Sequence, residues 1–160
     1  MSYPDRVYAG SEGEITARYR PTDTTPNLLT RDGGSTDYLA TAGSTHGEFG
    51  LYRISMGPRA GGPPTHFHRS ISESFYILGG TVRIYDGERW TDTEEGDFLY
   101  VPQGGLHAFR NDSDEAASML LLFTPGAPRE EYFEKVAQVS DWPEKERAEF
   151  FIRHDTYWTD

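Results

Sequence analysis

Residues 61–80 read GGPPTHFHRSISESFYILGG, and the rest of the chain can be arranged around them. His66 and His68 are separated by one residue. In a strand, alternate side chains point to the same face. The two imidazoles are then carried on Cα atoms roughly 6.5–7 Å apart, close enough to share one metal ion. Glu73 follows after four intervening residues. A second stretch, residues 96–111 (GDFLYVPQGGLHAFRN), brings a third histidine, His107. Three neutral imidazoles and one carboxylate make a mixed nitrogen–oxygen donor set with room for exchangeable positions, which distinguish a catalytic centre from a structural one.

Outward from this stretch, short apolar runs alternate with turns. Strands are expected over Phe49–Met56, Thr65–His68, Glu73–Leu78, Thr81–Tyr85, Arg89–Thr93, Asp97–Val101, His107–Asn111 and Ala116–Thr124. Gly57–Pro64 is too rich in glycine and proline for regular structure, and Asp86-Gly87 is a hairpin signal. Upstream, Glu14–Arg20 alternates Ile15, Ala17 and Tyr19 with polar residues, another strand pattern, and Asn27–Thr30 suits a further short strand. Downstream of Pro125 the period changes. Arg129–Val139 gathers Tyr132, Phe133, Val136 and Val139 near one helical face. Pro143–Ile152 places a proline at the first position of a second short helix. The aromatic tail after Ile152 has the composition to pack onto something. The expectation is one domain over residues 1–160: a barrel core of about 49–124, N-terminal strands within 1–48, and a helical extension over 125–160. Its class is all-β, an antiparallel β-barrel or jelly roll with two short C-terminal helices.

Composition narrows the chemistry. The 160 residues contain no cysteine, which removes disulfides, thiolate catalysis and Cys-type zinc sites. A metal held by imidazole and carboxylate is one divalent transition ion: Fe, Mn, Ni, Cu, Co or Zn. The net charge of −11 argues against a nucleic-acid or anionic-membrane partner, since phosphate recognition needs basic patches. The N-terminal MSYPDRVYAG lacks the basic and apolar regions of a signal peptide, and the apolar run 119–123 is too short to cross a bilayer. A soluble, cytoplasmic protein is expected.

The two stretches together resemble the signature of the cupins, a family of small β-barrels. The first cupin motif is Gly, five residues, His-x-His, three or four residues, Glu, six residues, Gly. Here it is matched by His66, His68, Glu73 and Gly80. The second is Gly, five residues, Pro-x-Gly, two residues, His, three residues, Asn. Gly96, Pro102, Gly104, His107 and Asn111 match every fixed position. One departure exists: the first glycine of motif one falls on Ala60, with Gly61 and Gly62 following. The resemblance covers residues 49–124 and implies His66, His68, Glu73 and His107 as the metal ligands, with Pro102, Gly104 and Asn111 shaping turns. His46 and His154 fit neither motif and read as a loop and a tail residue.

Cupins host many reactions, so the fold alone does not choose one. Small cupins related to quercetinases imply a metal-dependent dioxygenase acting on a flavonol- or catechol-like aromatic molecule, with Glu73 as both ligand and proton acceptor. The alternatives are a non-redox polyketide cyclase or isomerase using the metal as a Lewis acid, or a small-molecule-binding module without turnover. The inward directions expected for Tyr52, Ile54, Phe75, Ile77, Tyr100, Phe109, Met119 and Leu121 would wall an apolar substrate pocket. The expected inward set holds no lysine or arginine cluster, since Arg53 and Arg83 fall on the opposite faces. A homodimer is expected, two-fold dimers being the commonest assembly.

Overall fold

The computed structural model describes residues 2–159; Met1 and Asp160, the ends of the expected N- and C-terminal segments, lie outside it. Among the described residues, eleven strands and two α-helices run in the order β1 (Leu28–Leu29), β2 (Ser35–Ala40), β3 (Gly50–Met56), β4 (His66–Phe67), β5 (Ser72–Gly79), β6 (Arg83–Tyr85), β7 (Trp90–Asp92), β8 (Phe98–Val101), β9 (Ala108–Arg110), β10 (Ala117–Thr124), α1 (Glu130–Lys135), α2 (Glu144–Arg153) and β11 (Tyr157–Trp158). One layer is a six-stranded sheet of order β1-β2-β3-β10-β5-β8. The other holds β7-β6-β9 and the pair β11-β4, joined by an isolated bridge between His66 and His107. Every pairing is antiparallel, and the whole is a jelly roll.

Register sets the inward row. Tyr52 pairs with Leu121 and Leu121 with Phe75, while Ile54 pairs with Met119 and Met119 with Ile77. Because side chains alternate with period two, these rows face the second layer together. Tyr52, Phe75, Ile77, Met119, Leu121 and Phe123 are all buried there. The next inward row is Phe123, Glu73 and Val101, so the period that buries phenylalanines also turns Glu73 into the interior. Phe75 is fully buried, its ring 5.9 Å from His107 and 5.7 Å from Phe109. Phe75→Ala is expected to lower stability by about 3–5 kcal/mol, read from the urea-unfolding midpoint.

Four expectations need correction. Glu14–Arg20 forms no strand: Ile15 and Tyr19 are fully exposed or nearly so, and the segment pairs with no edge. It is tied down at its end, where Arg20 and Arg53 both reach the buried Asp37 carboxylate at 3.0 Å. The N-terminal strands are therefore β1 and β2. Tyr100 is 56% exposed and faces outward with Tyr76 and Phe98, because Leu99 and Val101 pair with the inward Phe75 and Glu73. The helix expected over 129–139 stops at Lys135 and continues as a 3₁₀ segment, Val136–Asp141. Pro143 stands one residue before α2 in extended geometry, at the N-cap rather than inside. No helix of the described residues is long and apolar enough to cross a membrane.

Candidate metal centre

His66, His68, Glu73 and His107 come together in the interior. One ligand atom from each lies within 4.8 Å of the others, and all four residues are at most 3% exposed. Their positions follow from the backbone. His66 and His107 exchange N–H···O bonds of 3.0 Å across the bridge, which sets their rings 4.2 Å apart. His68 is fixed from the second motif, since the Gly104 N–H donates to its carbonyl at 2.7 Å. The displaced glycine of motif one also has a reason. A side chain at Gly62 would meet the Phe109 carbonyl at 1.7 Å, so close approach falls there, while Ala60 is accommodated in the core.

All three histidines use Nδ1 in the same way. His66 Nδ1 donates to the Pro64 carbonyl at 2.9 Å, His107 Nδ1 to the Gly105 carbonyl at 3.0 Å, and His68 Nδ1 to the Asp155 carbonyl. A proton on each Nδ1 leaves each Nε2 as a lone pair, the usual outer-shell device for orienting histidine ligands. The Glu73 carboxylate points at the same place, with Oε2 2.8 Å from His107 Nε2 and 3.2 Å from His68 Nε2. Lone pairs and an anion converging in a buried space repel one another unless they share a cation. Four such donors fit one divalent transition ion.

Burial and mutual contact shift the protonation of three of these groups. Burial, with His107 beside it, pushes His66 down to about 3 and keeps its imidazole neutral. Burial acts to raise the Glu73 pKa, but the contacts from His107 and His68 outweigh it and hold the carboxyl ionised, well below the usual range. Burial lowers the His107 pKa while Glu73 raises it, and the net direction is upward.

Aromatic rings close around the site: Trp158 lies 5.2 Å from His66, and Phe123 6.2 Å from His68. Away from the site, a cavity of about 200 Å³ lined by Ile77, Ile84, Thr93 and Leu99, with the exposed Asp86, Thr91, Asp97 and Phe98 at its rim, opens to solvent. Phe75 and Phe109 stand between these residues and His107. Of the residues expected to wall a pocket, Ile77 lines this cavity. Tyr52, Phe75, Met119 and Leu121 pack into the closed core, with Ile54 and Phe109 partly buried against it.

Two features escaped the sequence reading. Arg129 is an inward cation, 3% exposed, packed over Tyr132 at 4.1 Å and Phe123 at 5.2 Å. Its Nη1 donates to the His154 carbonyl, and its Nε meets no acceptor among the described residues. Asp155 reaches the site from the C-terminal extension. Neither belongs to a motif, and the one signal available was an arginine opening an otherwise amphipathic helix. His154 is buried as the C-cap of α2, against Phe150 at 4.5 Å.

Comparison with known proteins places these residues. The cupin domain profile Cupin_2 matches residues 52–123, which contain all four donors. Quercetin 2,3-dioxygenase of Bacillus subtilis (strain 168) is 33% identical over 93 residues; the match spans 55% of this chain but 26% of that protein. The polyketide cyclase RemF from Streptomyces resistomycificus superposes with a TM-score of 0.56 at 19% identity, covering 67% of this chain and 78% of its own, a likeness of fold. Protein SchB of Streptomyces halstedii is 30% identical over 110 residues, 67% of this chain and 76% of its own. A chain that aligns along three quarters of SchB and carries the cupin domain from Tyr52 to Phe123 belongs to the cupin family.

Proposed function

We propose that the protein is a metal-dependent dioxygenase acting on a flavonol- or catechol-like aromatic small molecule. The carrying observation is the convergence of three Nε2 lone pairs and an ionised carboxylate in a buried, aromatic-walled site. A redox-capable divalent ion held by His66, His68, Glu73 and His107 would supply the binding of an enolate or catecholate oxygen and its reaction with O₂. The chain's own residues do the rest. The three backbone carbonyls fix the imidazoles. Glu73 presents Oε2 as the acceptor for the hydroxyl proton that the substrate gives up on binding. Trp158, Phe123 and Phe75 exclude water from the donor atoms. The likeness to quercetin 2,3-dioxygenase in the matched span supports this reading.

The test is metal analysis of the purified protein combined with oxygen uptake on quercetin and catechol. Iron, manganese, nickel, copper or cobalt at about one per chain, with oxygen consumed in proportion to substrate, is the expected result. Zinc with no oxygen uptake would replace this reading with a non-redox cyclase or isomerase.

A further inference from the structure

The C-terminal extension reaches His68 at the turn that follows α2. Asp155 lies outside the matched span of residues 52–123, yet it contacts His68 and the start of the loop that leads from His68 to Glu73. Its carbonyl takes the Nδ1–H of His68. Its carboxylate accepts the backbone N–H of Arg69 at 3.0 Å, the N–H of Ser70 at 2.8 Å and the Ser70 hydroxyl at 2.6 Å. Those residues begin the connection from His68 to Glu73. One residue thus holds a ligand's ring and the start of the chain leading to the next ligand.

The turn is itself held. Asp155 has φ +52, a left-handed conformation that aspartate tolerates better than most residues. On one side, buried Arg129 donates Nη1 to the His154 carbonyl, placing a cation where the carbonyls of α2 end. On the other, the Thr156 N–H bonds the Phe151 carbonyl at 2.9 Å, and Tyr157 and Trp158 pair with Phe67 and His66. The turn therefore cannot shift without disturbing β4.

We propose that Asp155 is a positioning residue for the metal centre, acting through His68 and the 69–70 loop. The inference rests on the metal-centre reading above. Zinc affinity of the full-length protein, measured by competition with a chromophoric chelator, and the visible spectrum of the cobalt(II)-loaded protein both test it. Asp155→Ala removes the carboxylate and disfavours the left-handed turn. It is expected to weaken zinc binding roughly 10–100-fold and to shift the cobalt bands. Asp155→Asn keeps one acceptor and tolerates the turn, so a smaller loss, roughly threefold or more, is expected by the same reasoning. Asp37→Asn, which breaks an ion-pair cluster with Arg20 and Arg53 that shares no partner with this turn, should lower the melting temperature and leave zinc affinity within about twofold. Unchanged affinity in Asp155→Ala would overturn the proposal, as would an equal loss in Asp37→Asn. Should Asp155→Ala not fold, Asp155→Asn decides: weakened binding upholds the proposal and unchanged binding overturns it. Failure of the unaltered protein to bind zinc or cobalt would remove the metal centre itself, an outcome separate from either.

Discussion

His107→Ala is expected to remove nearly all bound metal. His107 is fully buried, donates Nδ1–H to the Gly105 carbonyl and brings Nε2 to 2.8 Å from Glu73. Changes to outer-shell partners of a ligand cost about 10–100-fold in metal affinity, so loss of the ligand itself should exceed about 100-fold. The substitution also leaves Glu73 with one fewer partner. Truncating a fully buried side chain to alanine leaves a cavity that costs about 2–5 kcal/mol, so the variant should melt earlier as well. Metal content after gel filtration and the melting temperature read the two effects separately. His66→Ala should behave similarly for metal. His46→Asn is the control: His46 is exposed at φ +55, asparagine tolerates that conformation, and neither quantity should change. Full metal content in His107→Ala would mean that the ion sits elsewhere.

Glu73→Gln is expected to separate binding from turnover. Glutamine keeps the shape and one carbonyl oxygen, so three imidazoles and an amide oxygen should still hold a metal. It cannot accept a proton. General-base steps contribute about 10²–10⁴-fold, and the rate should fall by that order while metal content stays near that of the unaltered protein. The register that pairs Glu73 with Phe123 and Val101 is unaffected by the change, so the fold should persist. Single-turnover rates on quercetin alongside metal content provide the check. An unchanged rate would restrict Glu73 to ligation.

Much of this site was legible because it rests on local rules. Strand alternation placed His66 beside His68, and the period that buries Phe75 and Ile77 also turns Glu73 inward. The turn chemistry of Gly96, Gly104 and Asn111 matched a known spacing, and Asn111 does tie a turn, donating its side-chain amide to Gly57 and Glu115 carbonyls at 2.9 and 2.7 Å.

The misreadings share a cause, which is that tertiary partners are not written locally. Glu14–Arg20 has a strand's alternation but no neighbouring edge to complete it, and a ladder needs both sides. Phe98–Val101 is apolar at every position, so its inward phase depends on its register with β5. Arg129 opens a helix and looks solvated by composition. Its burial comes from packing against Phe123 and Tyr132, and its hydrogen bond goes to a residue 25 positions away. Asp155 is linked to His68 across 87 positions of sequence, beyond the reach of any motif.

X-ray absorption at the metal edge of the loaded protein reads the donor atoms around the ion. About one ion per chain is expected, with three imidazole nitrogens near 2.0–2.1 Å, as for zinc, and at least one oxygen. A first shell without imidazole scattering, or one unchanged when His107 is replaced by alanine, would contradict it.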